Sequence, residues 1–383
     1  MRIFLVFLVS LLAALASVSP AVAQIDGFVT VFDPSIQSAG MGSATAAVFW
    51  QDMPNVWINP SLVSFQRGIR YSYGTTKLLP DLADDVTLKS HQILIGGHGI
   101  GVEVSGKPID DVGKVELDYG ESEITDINGN VIGTIEAFEK ASTFAAGVDL
   151  VALLASFQEA KTGEPSVLRQ RLSIAFGHTW KHLEGDFGFA TGELDVKDVG
   201  ALVRVAALDQ IGSTLRETST ETRCRLEIAG GYSEQNYDEE ASDTYYTDLD
   251  FTQYGASLRL TIAPPSSEGA FARDYGTPAI GVGVAWTLSD VGFGDDTNRF
   301  GGEVSIYDIL FLRGGYIDDK LTDVHGATFG GGVALQYRGK YGARFDYARV
   351  PLSDILDSHQ NRYQVSVFVD PFRLFLEKPG EKL

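Results

Sequence analysis

The chain has 383 residues with 51 acidic against 30 basic side chains, a formal charge of −21 and a single cysteine, Cys224. That balance excludes nucleic acid as a partner, because phosphate contacts need a basic face, and a lone cysteine excludes an internal disulfide. The 42 Gly, 15 Tyr and 22 Phe suit tight turns and membrane-interface girdles rather than a disordered acidic chain.

Met1-Arg2 opens a positive n-region. Ile3 to Ala16 is apolar except for Ser10, and Ser19-Pro20 precedes the small-x-small site Ala21-Val22-Ala23. This pattern predicts a secretory signal peptide over residues 1–23, cut before Gln24. No cysteine stands at the cut, so no lipid-modified terminus is expected. Downstream, nothing reaches the ~18 apolar residues of a membrane helix; the nearest run, Leu150 to Phe157, is far too short.

Residues 24–66 do not alternate. From residue 67 to 372 the pattern has period two. Ala256, Leu258, Leu260 and Ile262 face Ser257, Arg259 and Thr261; Cys224, Leu226 and Ile228 face Arg223, Arg225 and Glu227; Tyr341, Ala343, Phe345 and Tyr347 face Gly342, Arg344 and Asp346. Such alternation means strands with one apolar and one polar face. About fourteen are expected, starting near Gly68, Ser90, Ile100, Ala141, Arg169, Val199, Arg223, Asp250, Ala279, Phe300, Ile309, Gly326, Tyr341 and Asn361, with no helical run of useful length between them.

A soluble sandwich would alternate too, but the connections argue for a closed antiparallel transmembrane β-barrel, an all-β fold. Connections after odd strands read as long and acidic: Pro80 to Lys89, Gly106 to Lys140, Glu234 to Asp250, Asp290 to Asp296 and Asp318 to Asp323. Several after even strands read as tight turns: Gly97-His98-Gly99, Asp308, and Arg338-Gly339-Lys340. Long outer loops, short inner turns and an even strand count describe a multi-pass barrel of the bacterial outer membrane. Its neighbours would be outer-membrane lipid and lipopolysaccharide, the acidic loops lying at the lipopolysaccharide level. On this register the lumen carries Arg70, Glu103, Arg171, Arg204, Arg225, Glu227, Arg259, Glu303, Arg313, Arg344 and Asp346. Charges confined there are expected to pair with one another or with a plug, or to line a path for an anionic or amphipathic solute.

Catalytic chemistry is not apparent. His178 and His182 are four apart, but on a strand that spacing makes no metal site. Gly96-Gly97-His98-Gly99-Ile100-Gly101 lacks the helix and lysine of a phosphate loop and reads as a turn. Neither an enzyme nor a cofactor or metal is expected.

The stretch Gln37-Ser38-Ala39-Gly40-Met41-Gly42-Ser43-Ala44, then Asp52, then Trp57-Ile58-Asn59-Pro60-Ser61-Leu62, resembles the N-terminal signature of the PorV/PorQ-like branch of the FadL-like outer-membrane proteins, with Ser61 where the family usually has Ala. The segments Val115 to Gly120, Ile124 to Asp126 and Asn128 to Thr134, and the closing strand His359 to Ser366, resemble the same branch. Residues 373–383, beyond Phe372, form a tail that members often lack. The resemblance implies a fourteen-stranded barrel whose lumen holds an N-terminal hatch, residues 24–66. Physics adds that so many apolar side chains there (Phe32, Met41, Phe49, Trp50, Met53, Trp57 and Phe65 among them) need burial, at ~25 cal/mol per Å². Gly40 and Gly42 permit close backbone approach, and Asn59-Pro60 turns the chain into the first strand. The function implied is transport of hydrophobic or amphipathic small molecules, with Phe49, Trp50, Trp57 and Phe65 as pocket residues. The alternative is a secretion or surface-attachment component that binds a cargo protein through its outer loops.

Overall fold

The computed structural model describes residues 28–30, 32–80, 83–105, 114–125, 128, 130–162, 166–188, 191–209, 223–237, 251–263, 280–291, 296–319, 324–337, 340–353 and 358–371. The expected signal peptide and C-terminal tail lie outside these residues. So do the central parts of the acidic connections 234–250, 290–296 and 318–323.

Fifteen strands form one antiparallel sheet: β1 (Gly68–Leu79), β2 (Ala83–Gly97), β3 (Ile100–Ser105), β4 (Lys114–Thr125), β5 (Val131–Asp149), β6 (Leu172–Asp186), β7 (Thr191–Asp209), β8 (Arg223–Tyr237), β9 (Phe251–Ala263), β10 (Ile280–Val291), β11 (Thr297–Ile306), β12 (Leu310–Asp319), β13 (Val324–Tyr337), β14 (Tyr341–Ser353) and β15 (Ser358–Val369). The sheet closes because β1 pairs with β15 from Ile69↔Val369 to Thr76↔Arg362. β3 and β4 share one position: both lie between β2 and β5, β3 beside Ile93–Gly97 and β4 beside Thr87–Ser90. Fifteen strands therefore make a closed barrel of fourteen staves; ten expected starts fall on or within a strand, those near Asp250, Ala279 and Ile309 stand one residue before one, and that near Arg169 stands three residues before β6. An even count leaves Gly68 and Val369 at one end, called proximal below; the other end is distal.

Several expectations need correction, the first being the connection Pro80 to Lys89, most of which belongs to β2 (Ala83–Gly97). The acid-rich connection 106–140 is largely strand, since it contains β4 and half of β5. The connection from β5 to β6 is helical: α2 (Leu150–Thr162) and α3 (Val167–Arg171), after a short α1 (Ile36–Ala39) near the N-terminus. Arg171, read as a lumen residue, is thus an exposed side chain at the end of α3. The loop asymmetry is also weaker than expected. Distal connections such as 187–190 and 354–357 are short, while proximal 150–171 and 210–222 are long. Among the described residues, the distal acids Glu116, Asp118 and Glu123 sit on a strand extension.

The alternation sets the membrane face. Leu335 is 67% exposed, whereas its neighbour Ala334 is 1% exposed; Leu312, Phe329, Phe345, Val365 and Val367 point outward like Leu335. Tyr307, Tyr337 and Tyr341 ring the proximal edge, with Tyr337 and Tyr341 stacked at 5.3 Å. Tyr316, Tyr232–Tyr254 (5.5 Å) and Tyr347–Tyr363 (5.4 Å) ring the distal edge. On β14 the two girdles lie about six residues apart, roughly 20 Å of strand at ~3.3 Å per residue. Polar groups follow at once: the Tyr347 hydroxyl donates to Asn361 Oδ1 (2.7 Å), the Tyr232 hydroxyl donates to Glu234 Oε2 (2.6 Å), and His325 pairs with Asp318 (2.7 Å). An apolar band between aromatic girdles on a closed barrel is the exterior of an outer-membrane-type β-barrel.

Beyond the distal girdle, β1, β2 and β4 to β7 continue, and their polarity inverts. Glu116 and Asp118 turn outward to meet Lys140 (3.7 Å) and Lys89 (3.8 Å). Leu78, Leu88, Val115, Leu117, Leu183, Leu194 and Val196 turn inward and form one buried cluster. Strands leaving lipid for water exchange a greasy exterior for a greasy interior.

Candidate functional site: the lumen and its N-terminal segment

Residues 28–66 contain no strand. Pro34, Pro54 and Pro60 interrupt any ladder, and the segment is built from short turns: Phe28–Thr30 and Pro60–Phe65 are 3-10 turns, and α1 is capped by Ser35, whose Oγ accepts from the Ser38 N–H at 3.3 Å. The segment touches the wall all the way round, on the face opposite the lipid band. Val29 N–H donates to Glu139 on β5 (2.7 Å), and Asn59 Nδ2 donates to the Ala201 carbonyl on β7 (3.3 Å). Ser233 on β8 donates to the Ile58 carbonyl and Ser257 on β9 to the Ala47 carbonyl, both at 2.7 Å. Thr328 on β13 donates to the Gly40 carbonyl (3.2 Å) and Arg362 on β15 to the Asp33 carbonyl (3.0 Å). A segment that meets a closed cylinder from its inner face lies in the lumen.

Much of the glycine serves this contact rather than turns. Gly101, Gly177, Gly200, Gly231, Gly301 and Gly315 stand on strands where the segment's own main chain presses on the wall. A methyl group at Gly315 would collide with the main chain of Met41 and Gly42. Gly42 itself holds φ +64°, the left-handed region that favours glycine.

The motif residues have distinct places. Met41 is fully buried with Ala44, Val48 and Ala285. Gly40 lies against Gly330 and the Arg313 side chain. Asn59 has its side-chain bonds filled: Nδ2 also donates to the Ala46 carbonyl (2.7 Å), and Oδ1 accepts from the Ser61 N–H (3.0 Å) and Ser61 Oγ (2.7 Å). It caps the 3-10 turn that Pro60 begins.

Of the four aromatics expected to line a pocket, three converge near the proximal end. Phe49 meets Trp50 edge-on at 5.3 Å and Phe65 at 6.1 Å. Arg204 lies 5.5 Å from the Phe49 centroid and 6.0 Å from that of Phe65, and Arg259 lies 5.7 Å from that of Trp50, within cation–π range. Trp57 is elsewhere. It belongs to the distal apolar cluster, donates Nε1–H to the Thr30 carbonyl (3.2 Å), and carries Lys181 over its ring at 4.2 Å.

The lumen charges separate in the same way. Arg204 and Arg225 share Glu227, each at 2.9 Å. Arg259 is opposite Glu227 in register and donates to the Trp50 carbonyl (3.4 Å), with no carboxylate ion pair among the described residues. Asp149 acts on Arg204 from farther off. Among the described residues, three guanidinium groups stand against two carboxylates here, a net positive charge beside half-buried rings. Across the lumen carboxylates are in excess, Asp346, Asp52 and Glu303 against Arg344 and Arg313. Arg344 grips Asp346 through Nε (2.8 Å) and Nη2 (3.0 Å) and reaches Asp52 of the segment with Nη1 (2.8 Å). Arg313 joins Glu303 to Asp346, both at 2.8 Å, and Gln37 donates to Asp346 at 3.1 Å. This network fastens the segment to β11–β14.

Sequence reasoning missed two internal supports. Asn55 Nδ2 donates to Asp33 Oδ1 and Oδ2 (3.1 and 3.0 Å) and to Thr45 Oγ1 (3.0 Å), tying the two halves of the segment. Lys181, wholly buried, pairs with Asp198 at 2.6 Å and donates to Gln235 at 3.2 Å. For Asn55 the signal was a polar residue within the apolar stretch Met53 to Trp57; Lys181, among His178, Thr179, His182 and Glu184, gave none.

No family model and no curated protein matches the chain. Similar solved structures include the CymD monoaromatic hydrocarbon channel, at 13% identity over 87% of this chain and 96% of that one, TM-score 0.39. The Pseudomonas putida toluene transporter TodX is similar at 11% identity over 86% and 95%, TM-score 0.35. Pseudomonas aeruginosa OpdO is similar at 10% identity over 78% and 94%, TM-score 0.30. The roles of the residues above rest on this chain's own geometry.

Proposed function

We propose that this barrel conducts hydrophobic or amphipathic small molecules across a bacterial outer membrane, with residues 28–66 as a hatch that shifts to let them pass. The observation that carries the reading is the Phe49–Trp50–Phe65 trio beside Arg204, Arg225 and Arg259, where rings and excess positive charge offer an apolar body and an anionic head separate partners. The distal apolar cluster around Trp57 would receive the solute from the cell exterior, and the proximal trio would hold it before release. The ion-paired Arg344–Asp346–Asp52 network would keep the rest of the segment in place while residues 48–51 move. Net positive charge in a confined, low-dielectric lumen favours an anionic head over a cationic one.

The test is binding. With Trp57, Trp180 and Trp286 changed to Phe, the emission of Trp50 reports on the trio directly. Titration with a medium-chain alkyl carboxylate is expected to shift that emission saturably, and Arg204→Ala is expected to weaken the titration about tenfold, the loss of ~1.4 kcal/mol. No saturable response to alkyl carboxylates or to neutral aromatics, together with capture of a secreted protein by the distal surface, would replace this reading with one of secretion or surface attachment.

A further inference from the structure

The β5–β6 connection carries a surface that neither the lumen nor the barrel wall uses. Asp149 ends β5 and caps α2: its Oδ1 accepts from the Val151 and Ala152 N–H groups, both at 3.0 Å, while its own N–H donates to the Gly99 carbonyl (2.6 Å). The helix then packs on the barrel rim through Val151, Ala152 and Ala155, with Ala152 close to Gly99. Its other face presents Leu150, Leu154 (69% exposed) and Phe157 (68% exposed) at spacings of four and three. α3 adds Val167 and Leu168, exposed at 61% and 58%. The two helices are held as one unit, since Glu159 pairs with Arg169 (3.0 Å) and accepts from the Ser166 N–H (2.8 Å). The unit is fastened to the wall as well: Arg204 donates to the Arg169 carbonyl (3.2 Å) and Arg225 to the Gln170 carbonyl.

We propose that α2 and α3 form an interfacial anchor, with Leu150, Leu154, Phe157, Val167 and Leu168 sunk in the proximal leaflet of the bilayer. The argument is continuity with the lipid face. On β5 the inward residues are Thr143, Ala145 and Asp149, and the outward series Phe144, Ala146, Val148 runs on to Leu150. Leu154 and Phe157 lie one and two helical turns beyond Leu150 on the same side. The apolar stripe therefore prolongs the membrane band. Polarity changes along the helix as an interface requires: Gln158, Glu159, Lys161 and Thr162 occupy the last turn. The exposed cations Lys161 and Arg171 form no ion pair among the described residues and stand where lipid phosphates would lie. Leu154 and Phe157, exposed at 69% and 68%, would be a costly feature in water for so small a pair of helices, whereas lipid removes that apolar surface from water.

The inference depends on the membrane reading of the barrel, not on which solute the lumen passes. It is tested in the full chain carrying Cys224→Ser, reconstituted in nanodiscs of phosphatidylethanolamine and phosphatidylglycerol. Spin labels are placed singly at Leu154→Cys, Phe157→Cys, Lys161→Cys and, as a band control, Leu312→Cys. At 154 and 157, relaxation by oxygen should exceed that by a water-soluble nickel complex several-fold, as at 312, and the ratio should fall toward the aqueous value at 161. Labels at 154 and 157 that respond chiefly to nickel while 312 reads lipid would overturn the anchor and leave the barrel standing. Labels shielded from both relaxants would overturn it too, by showing that protein covers the stripe. A watery 312 would remove the membrane reading itself and the anchor with it.

Discussion

The two ends of this barrel solve opposite solvation problems with the same strands. Between the tyrosine girdles, apolar residues face out and arginines and carboxylates face in. In the distal extension of β1, β2 and β4 to β7, carboxylates and lysines face out while Leu78, Leu117, Leu183 and Val196 close around Val29 and Trp57. Strand periodicity is the same in both regions; only the solvent differs. The inversion marks where the membrane stops, and it gives the lumen two interiors, one greasy and one cationic, joined by a single N-terminal segment.

The most severe way to break the contrast lies in the membrane half. Arg344→Ala would leave the buried Asp346 only Arg313 and Gln37 and would take the Arg344 bond from part-buried Asp52, at a cost of about 3 kcal/mol. A drop of that size in urea-unfolding stability in detergent, with an increase in single-channel conductance as the segment loosens, is the expected result. A second pair of variants compares the two exteriors directly. Leu312→Arg, on the lipid band, should cost about 2–4 kcal/mol in bilayer refolding, whereas Glu116→Arg, on the extension, should change stability by less than ~1 kcal/mol. Equal costs would place both sites in the same solvent and remove the boundary.

Smaller effects sharpen the account of the segment. Gly315→Val would force Met41 and Gly42 off the wall, for about 1–3 kcal/mol of overpacking, seen as faster protease cleavage within residues 28–66. Asn59→Ala would remove the cap of the Pro60–Phe65 turn, with a loss near 1 kcal/mol in thermal or urea unfolding. If that change proved neutral, the filled hydrogen bonds of Asn59 would be incidental to the turn.

The fold was legible where the barrel touches lipid. There the alternation at Ala256 to Ile262 and Tyr341 to Tyr347 carries one meaning, and all fourteen staves followed from it. It misled where the solvent changed. β4 reads Glu116 and Asp118 against Val115 and Leu117, which is a strand seen from water, although so many acids in one stretch read as a loop. Leu150 to Phe157 is too short for a membrane span, yet Leu150, Leu154 and Phe157 form a helical stripe, and that stripe is the sequence signal for α2. The glycines were read as turns because nothing local says that another chain segment lies against them. Within the segment, its composition called for burial, but which aromatics meet depends on how a strandless chain folds against fourteen staves. Phe49 and Phe65 are sixteen positions apart and converge, while Trp57, between them, departs to the other interior.

The central claim is that the cationic, ring-lined proximal lumen is a station on a path through the membrane. Its most direct test is flux of a fluorescent alkyl carboxylate into liposomes holding the purified barrel, wild type against Phe49→Ala with Arg204→Ala. Entry well above that of empty liposomes, falling about tenfold in the double variant while the barrel remains folded, is the result this account predicts. Entry no faster than in empty liposomes, or entry unaffected by the double variant, would contradict it.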